Sequence, residues 1–68
     1  MNDVLQTAYY FAGCVSSPAG TIQLFDSTFE NAPPCWLVID KRGAKWRYHE
    51  ISDPAAIDRY RQLGFVDA

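Results

Sequence analysis

Apolar and polar positions along this chain change their period from one segment to the next. The run from Cys35 to Asp40, CWLVID, is apolar on both sides, with Leu37 and Ile39 on one face and Trp36 and Val38 on the other. A short apolar run without alternation, bounded by turn residues, fits a strand buried on both faces. After the polar stretch Asp40-Lys41-Arg42-Gly43 the chain alternates strictly. Trp46, Tyr48 and Glu50 point one way, and Lys45, Arg47, His49 and Ile51 point the other. The two segments predict a β-hairpin. Its aromatic set is expected over the core and its basic set in solvent, since a period of two fixes which face each side chain takes.

From residue 53 the spacing becomes helical, with Ile57, Tyr60 and Leu63 three residues apart. Asp53 before Pro54 reads as an N-cap followed by proline at the first helical position. Gly64 fits the residue just past the helix end, with Phe65 or Val66 folding back as the accompanying contact.

Residues 4–15 fit two patterns. As a helix, Val4, Leu5, Ala8, Tyr9 and Ala12 form one stripe, with Asp3 as a cap and Gly13 as a stop. As a strand, Tyr9-Tyr10-Phe11 followed by Cys14 and Val15 matches β propensity better. The expectation is a strand over 6–15, with Gly13 as a bulge or a close backbone approach. A turn over 16–20 and a short strand over 21–25 complete a first hairpin; Pro18 presets φ there, and Gly20 supplies a positive φ if the turn requires one. Residues 26–31 surround Phe29 with polar groups and suit a single capped helical turn. Pro33 and Pro34 end it. The predicted class is α+β: a small antiparallel sheet of about four strands in two hairpins, with one C-terminal helix packed on it, in the order β-β-β-β-α.

Composition changes this picture little. The 68 residues allow one domain, 1–68, and 49% hydrophobic with 15% aromatic residues is a composition for a packed core and not for a disordered tract. Cys14 and Cys35 are too few for a disulfide scaffold, so the thiols are expected reduced in the cytoplasm, with a Cys14–Cys35 bond as the lesser alternative. Asn2 and Asp3 do not resemble a basic leader. No apolar run approaches the roughly 20 residues that cross a membrane.

Charge is more informative. The net charge is −2, yet all six Lys and Arg residues follow position 40, while the first forty residues carry only Asp3, Asp26, Glu30 and Asp40. Such asymmetry can mark an interaction surface. Lys41 and Arg42 at the hairpin tip, Lys45, Arg47 and His49 along one strand face, and Arg59 and Arg61 on the helix form the candidate electrostatic surface, with Trp36 as an aromatic anchor. The bland alternative is that edge-strand cations only keep sheets from pairing with one another.

Catalytic chemistry finds no footing. Cys14, Cys35 and His49 lack zinc-ligand spacing. A nucleophilic Cys35 needs a partner that depresses its pKa, and nothing fixes His49 in that role. Asp53 and Asp58 are explained by capping and solvation. The expectation is therefore a non-enzymatic protein-binding module without a cofactor, monomeric or homodimeric, that docks sterically on a larger protein or complex. Small accessory regulators and inhibitors are of this kind, including those carried by phages and other mobile elements, such as anti-CRISPR inhibitors. The runner-up is a nucleic-acid-binding ribbon formed by residues 41–49, which a negative net charge disfavours. If the basic face were idle, the acidic residues Asp3, Asp26 and Glu30 would be the next surface to consider.

Overall fold

The computed structural model describes residues 2–25 and 34–68. Along them run α1 (Asn2–Cys14), β1 (Gly20–Phe25), β2 (Cys35–Asp40), β3 (Arg47–Ile51), α2 (Pro54–Gln62) and β4 (Val66–Asp67). The chain is α+β, with a four-stranded sheet in the order β3-β2-β1-β4. β2 is antiparallel to β1 and β3, and β4 lies parallel to β1, which makes the sheet mixed. The second hairpin and the helix behind it stand where the residue pattern puts them. The expected turn over residues 26–31 and the side chain of Asp3 lie outside the described residues.

The first hairpin is corrected. Residues expected as a strand over 6–15 belong to α1. Helical spacing lays Val4, Leu5, Ala8, Tyr9 and Ala12 toward Leu37, Ile39 and Phe25, and leaves Ala8 and Ala12 at 1% and 0% exposure. Tyr10 and Phe11, whose β propensity argued for a strand, turn outward and meet edge to face at 5.9 Å. Burial of the stripe outweighs the local preference, because β propensity expresses fit to a half-buried surface more than a backbone rule. Released from the first hairpin, β1 pairs with β2 from Gly20↔Asp40 to Phe25↔Cys35.

That register gives β2 two buried faces. Leu37 and Ile39 pack under α1, while Trp36 and Val38 join Ile22, Ile57 and Phe65 on the side of α2. The sheet is thus covered by one helix on each face. α1 lies over β1 and β2, so the aromatic set of β3 is not over the core as expected: Tyr48 is 47% exposed. Ile51, from the opposite set, packs among the α2-side core residues.

Both ends of α2 are set by the residues that signalled them. Asp53 accepts a hydrogen bond from the Ala55 N–H at 3.0 Å, with Pro54 at the first helical position. At the other end Gly64 takes φ +102°, the Phe65 N–H donates to the Tyr60 carbonyl, and the Gly64 N–H donates to Arg61. This is a Schellman termination, and its hydrophobic contact is the Tyr60–Phe65 ring pair at 4.9 Å. Phe65 then packs against Gly20, where a Cβ would lie 2.6 Å from the ring and collide with the Ile39 carbonyl. Gly20 has φ +147°, the positive value that only glycine adopts freely.

Candidate binding face on the hairpin and terminal helix

The hairpin turn is stiffened by its own charges. Arg42 donates to Asp40 three times: its backbone N–H and Nε reach Oδ1 at 2.9 and 3.0 Å, and Nη2 reaches Oδ2 at 2.9 Å. A bidentate guanidinium–carboxylate pair is the strongest geometry available to such groups. The hydrogen bonds from Arg42 hold the Asp40 carboxyl down to about 2, and His49 adds a smaller push in the same direction. The guanidinium carbon of Arg42 also sits 5.1 Å from the centre of the Phe65 ring. One side chain thereby joins the hairpin tip to the end of α2.

Lys41 turns the other way. Its Nζ donates to the carbonyls of Ala12 and, at 3.0 Å, Val15, and stands 5.3 Å from the Trp46 ring centre. Those carbonyls belong to the C-terminal end of α1, where orphan acceptors and the helix dipole both favour a cation. Trp46 in turn stacks on Tyr9, with ring centres 6.4 Å apart.

The predicted surface residues therefore divide. Lys41, Arg42 and Arg61 are held in contacts within the chain, Arg61 by Asp58 at 2.9 Å and by Asp67 at 3.1 Å. Since Asp67 belongs to β4, Arg61 is drawn toward the sheet edge opposite β3. Trp36 is half-buried in the core beneath α2 and is a wall, not a protruding anchor. Among the described residues Lys45, Arg47, His49 and Arg59 are exposed and have no ion-pair partner.

Three of these free groups share one side of the molecule. Arg47 and His49 lie opposite Asp40 and Val38, so they emerge on the sheet face that α2 covers. Between α2 and β3 runs an open groove of about 350 Å³ lined by Arg42, Ile51, Ala56, Arg59, Tyr60 and Leu63. Its floor is apolar, and Leu63 is 58% exposed beside it. Arg59 supplies a free positive charge on one wall, and the clamped Arg42 closes another. Lys45 stands apart on the turn, and nothing in the fold draws it to the groove.

No protein family, curated protein or solved structure matches this chain. The chemistry of the face is thus the whole basis for a functional reading. Sequence reasoning found the cations but missed Ile51, Ala56 and Leu63 as a shared apolar floor. The signal was present in part, since Ile51 shares a strand face with Arg47 and His49, and Leu63 ends the helical stripe of Ile57 and Tyr60.

The cysteines are free and far apart in the fold. Cys14 ends α1 near the close of β2, and Cys35 opens β2 at its other end, so the alternative of a mutual disulfide is set aside. Burial, and then the charge of Glu50, push the Cys35 thiol up. A nucleophilic cysteine needs the opposite shift. Among the described residues no three His, Cys, Asp or Glu side chains gather as a metal-ligand group, and no helix is long and apolar enough to cross a membrane.

Proposed function

We propose that this chain is a non-enzymatic protein-binding module, a small cytoplasmic regulator or inhibitor that docks on a larger protein through the face formed by β3 and α2. The observation that carries the proposal is the pairing of free positive charge with an exposed apolar groove: Arg59 lines the groove with Ile51, Ala56 and Leu63, and Arg47 and His49 lie further along the same sheet face. Arginine and tyrosine are enriched at protein hot spots, and Arg59 and Tyr60 both line this groove. The sheet beneath is fixed by the Asp40–Arg42 clamp and by the ends of α2, so little ordering is needed on docking. A nucleic-acid ribbon is the weaker alternative, because Lys41 and Arg42, at its tip, are engaged inside the chain.

The test is affinity capture from lysate of the source cells, with and without nuclease, comparing the native chain with an Arg47→Glu/Arg59→Glu variant. A stoichiometric protein retained after nuclease and lost from the variant supports the proposal. Capture that vanishes with nuclease replaces it with nucleic-acid binding. Capture unchanged in the variant moves the docking surface elsewhere.

A further inference from the structure

The groove between α2 and β3 differs from an ordinary solvated helix flank in three respects. Its floor is made by Ile51, Ala56 and Leu63 with the ring of Tyr60. Its volume of about 350 Å³ is at the small end of what ligand sites span. Its charge is positive and one-sided. Arg59 lines it without a counter-ion among the described residues, and Arg47 continues that charge along the same sheet face, with His49 beside it. Of the acidic residues nearby, Asp40 is paired with Arg42, Asp58 shares Arg61 with Asp67, and Asp53 is turned to the backbone N–H of Ala55 at the start of α2. Glu50 falls on the other side of the sheet.

Resting on the docking face proposed above, we infer that this groove takes a short acidic peptide segment of the partner protein, one apolar side chain seated between Ile51, Tyr60 and Leu63 and the flanking carboxylates against Arg59, Arg47 and His49. The charge pattern selects acidic protein over nucleic acid. A polyphosphate strand is best met by a line of free cations, which here is broken where Arg42 is neutralised by Asp40 and Lys41 is turned toward α1. An apolar floor with a free arginine in its wall and another along the same sheet face is instead the complement of a linear motif in which a hydrophobic residue is flanked by carboxylates. Arg42 contributes as a rigid wall: its guanidinium is fixed by Asp40 on one side and Phe65 on the other.

The test uses the intact chain, isotope-labelled, titrated with a short capped peptide of glutamate and serine carrying one central leucine. Three controls are titrated beside it: the same peptide with serine for the leucine, the same peptide with glutamine for each glutamate, and a single-stranded oligonucleotide of matching charge. The expected result is a shift of the amide signals of Ile51, Arg59, Tyr60 and Leu63 by the first peptide. Its affinity should weaken about tenfold or more for Arg59→Glu and for Leu63→Asp, a change of roughly 1.4 kcal/mol. Both substituted residues are exposed, and circular dichroism is to check that the variants stay folded. The inference is overturned if the peptide leaves the groove signals in place, if the glutamine control binds as well, or if the oligonucleotide binds in preference. Loss of peptide binding alone does not touch the docking face: a partner captured through Arg47 and Arg59 while the peptide fails retains that face and discards the acidic segment.

Discussion

The two sides of the sheet are covered by helices that do different work. α1 brings Ala8 and Ala12 against Leu37 and Ile39, and residues 4–25 contain no Asp, Glu, Lys or Arg at all. α2 buries Ile57 fully but leaves Ala56 and Tyr60 only partly covered, and it carries charges along its length. Small side chains at Ala8 and Ala12 let the first helix sit close on β1 and β2. The second helix, propped on larger ones, leaves a cleft along β3. One sheet thus has two unlike covers: α1 sits closely on β1 and β2 through Ala8 and Ala12, whereas α2 leaves a groove with arginine in its lining beside β3.

Substitutions at those positions sharpen the contrast. The largest effect is expected from Ile57→Ala, which removes a wholly buried side chain and should cost about 2–5 kcal/mol, read from denaturant unfolding. Ala12→Leu tests the α1 side from the opposite direction. Inserting volume under α1 should cost about 1–3 kcal/mol, and an unchanged unfolding midpoint would mean that α1 is not closely seated. Next comes Asp53→Ala, which deletes the cap of α2 and should lower stability by roughly 0.5–2 kcal/mol, with loss of helical circular dichroism at 222 nm expected to precede the main transition.

The smallest effect concerns acid. The Asp40 carboxyl titrates near 2 when folded, below its ordinary value of roughly 3.9 in an open chain. Its contribution is therefore complete above the open-chain value and fades as the pH falls toward about 2. Unfolding midpoints measured between pH 5 and 2 should fall less steeply for Asp40→Asn than for the native chain. Parallel slopes would show that the clamp does not couple to folding.

Much of the fold was legible because its strongest signals are local. Asp53-Pro54 and Gly64 bracket α2 by backbone chemistry alone, and the alternation after Gly43 has one strand solution. α1 was misread because the two smallest residues of its buried stripe, Ala8 and Ala12, carry little hydrophobic signal, whereas Tyr9-Tyr10-Phe11 speaks loudly for a strand. β4 escaped notice because two residues have no period, and it exists only because β1 offers it an edge. For the candidate face, sequence supplied the positive charges but not their engagements. Whether a cation is free depends on pairings such as Arg61 with Asp67, which are made after α2 has folded back on the sheet. The apolar floor was hidden for the same reason: Ile51 and Leu63 belong to different elements and meet only across the groove.

The position of β4 has a bearing on the order in which the molecule assembles. Thr21 pairs with Val66 and Ile22 with Asp67, and the Ala68 N–H donates to the Ile22 carbonyl at 2.8 Å. These contacts join residues 45 positions apart, whereas the β2–β3 hairpin joins near neighbours. Closing so long a loop costs more entropy than closing a hairpin and is offset only once α2 is in place to carry the chain across. Phe65, lodged between Tyr60 and Gly20, acts as the latch of that final step. The β4 edge of the sheet is held by only two paired residues, so opening is expected to start at the tail, ahead of the hairpin.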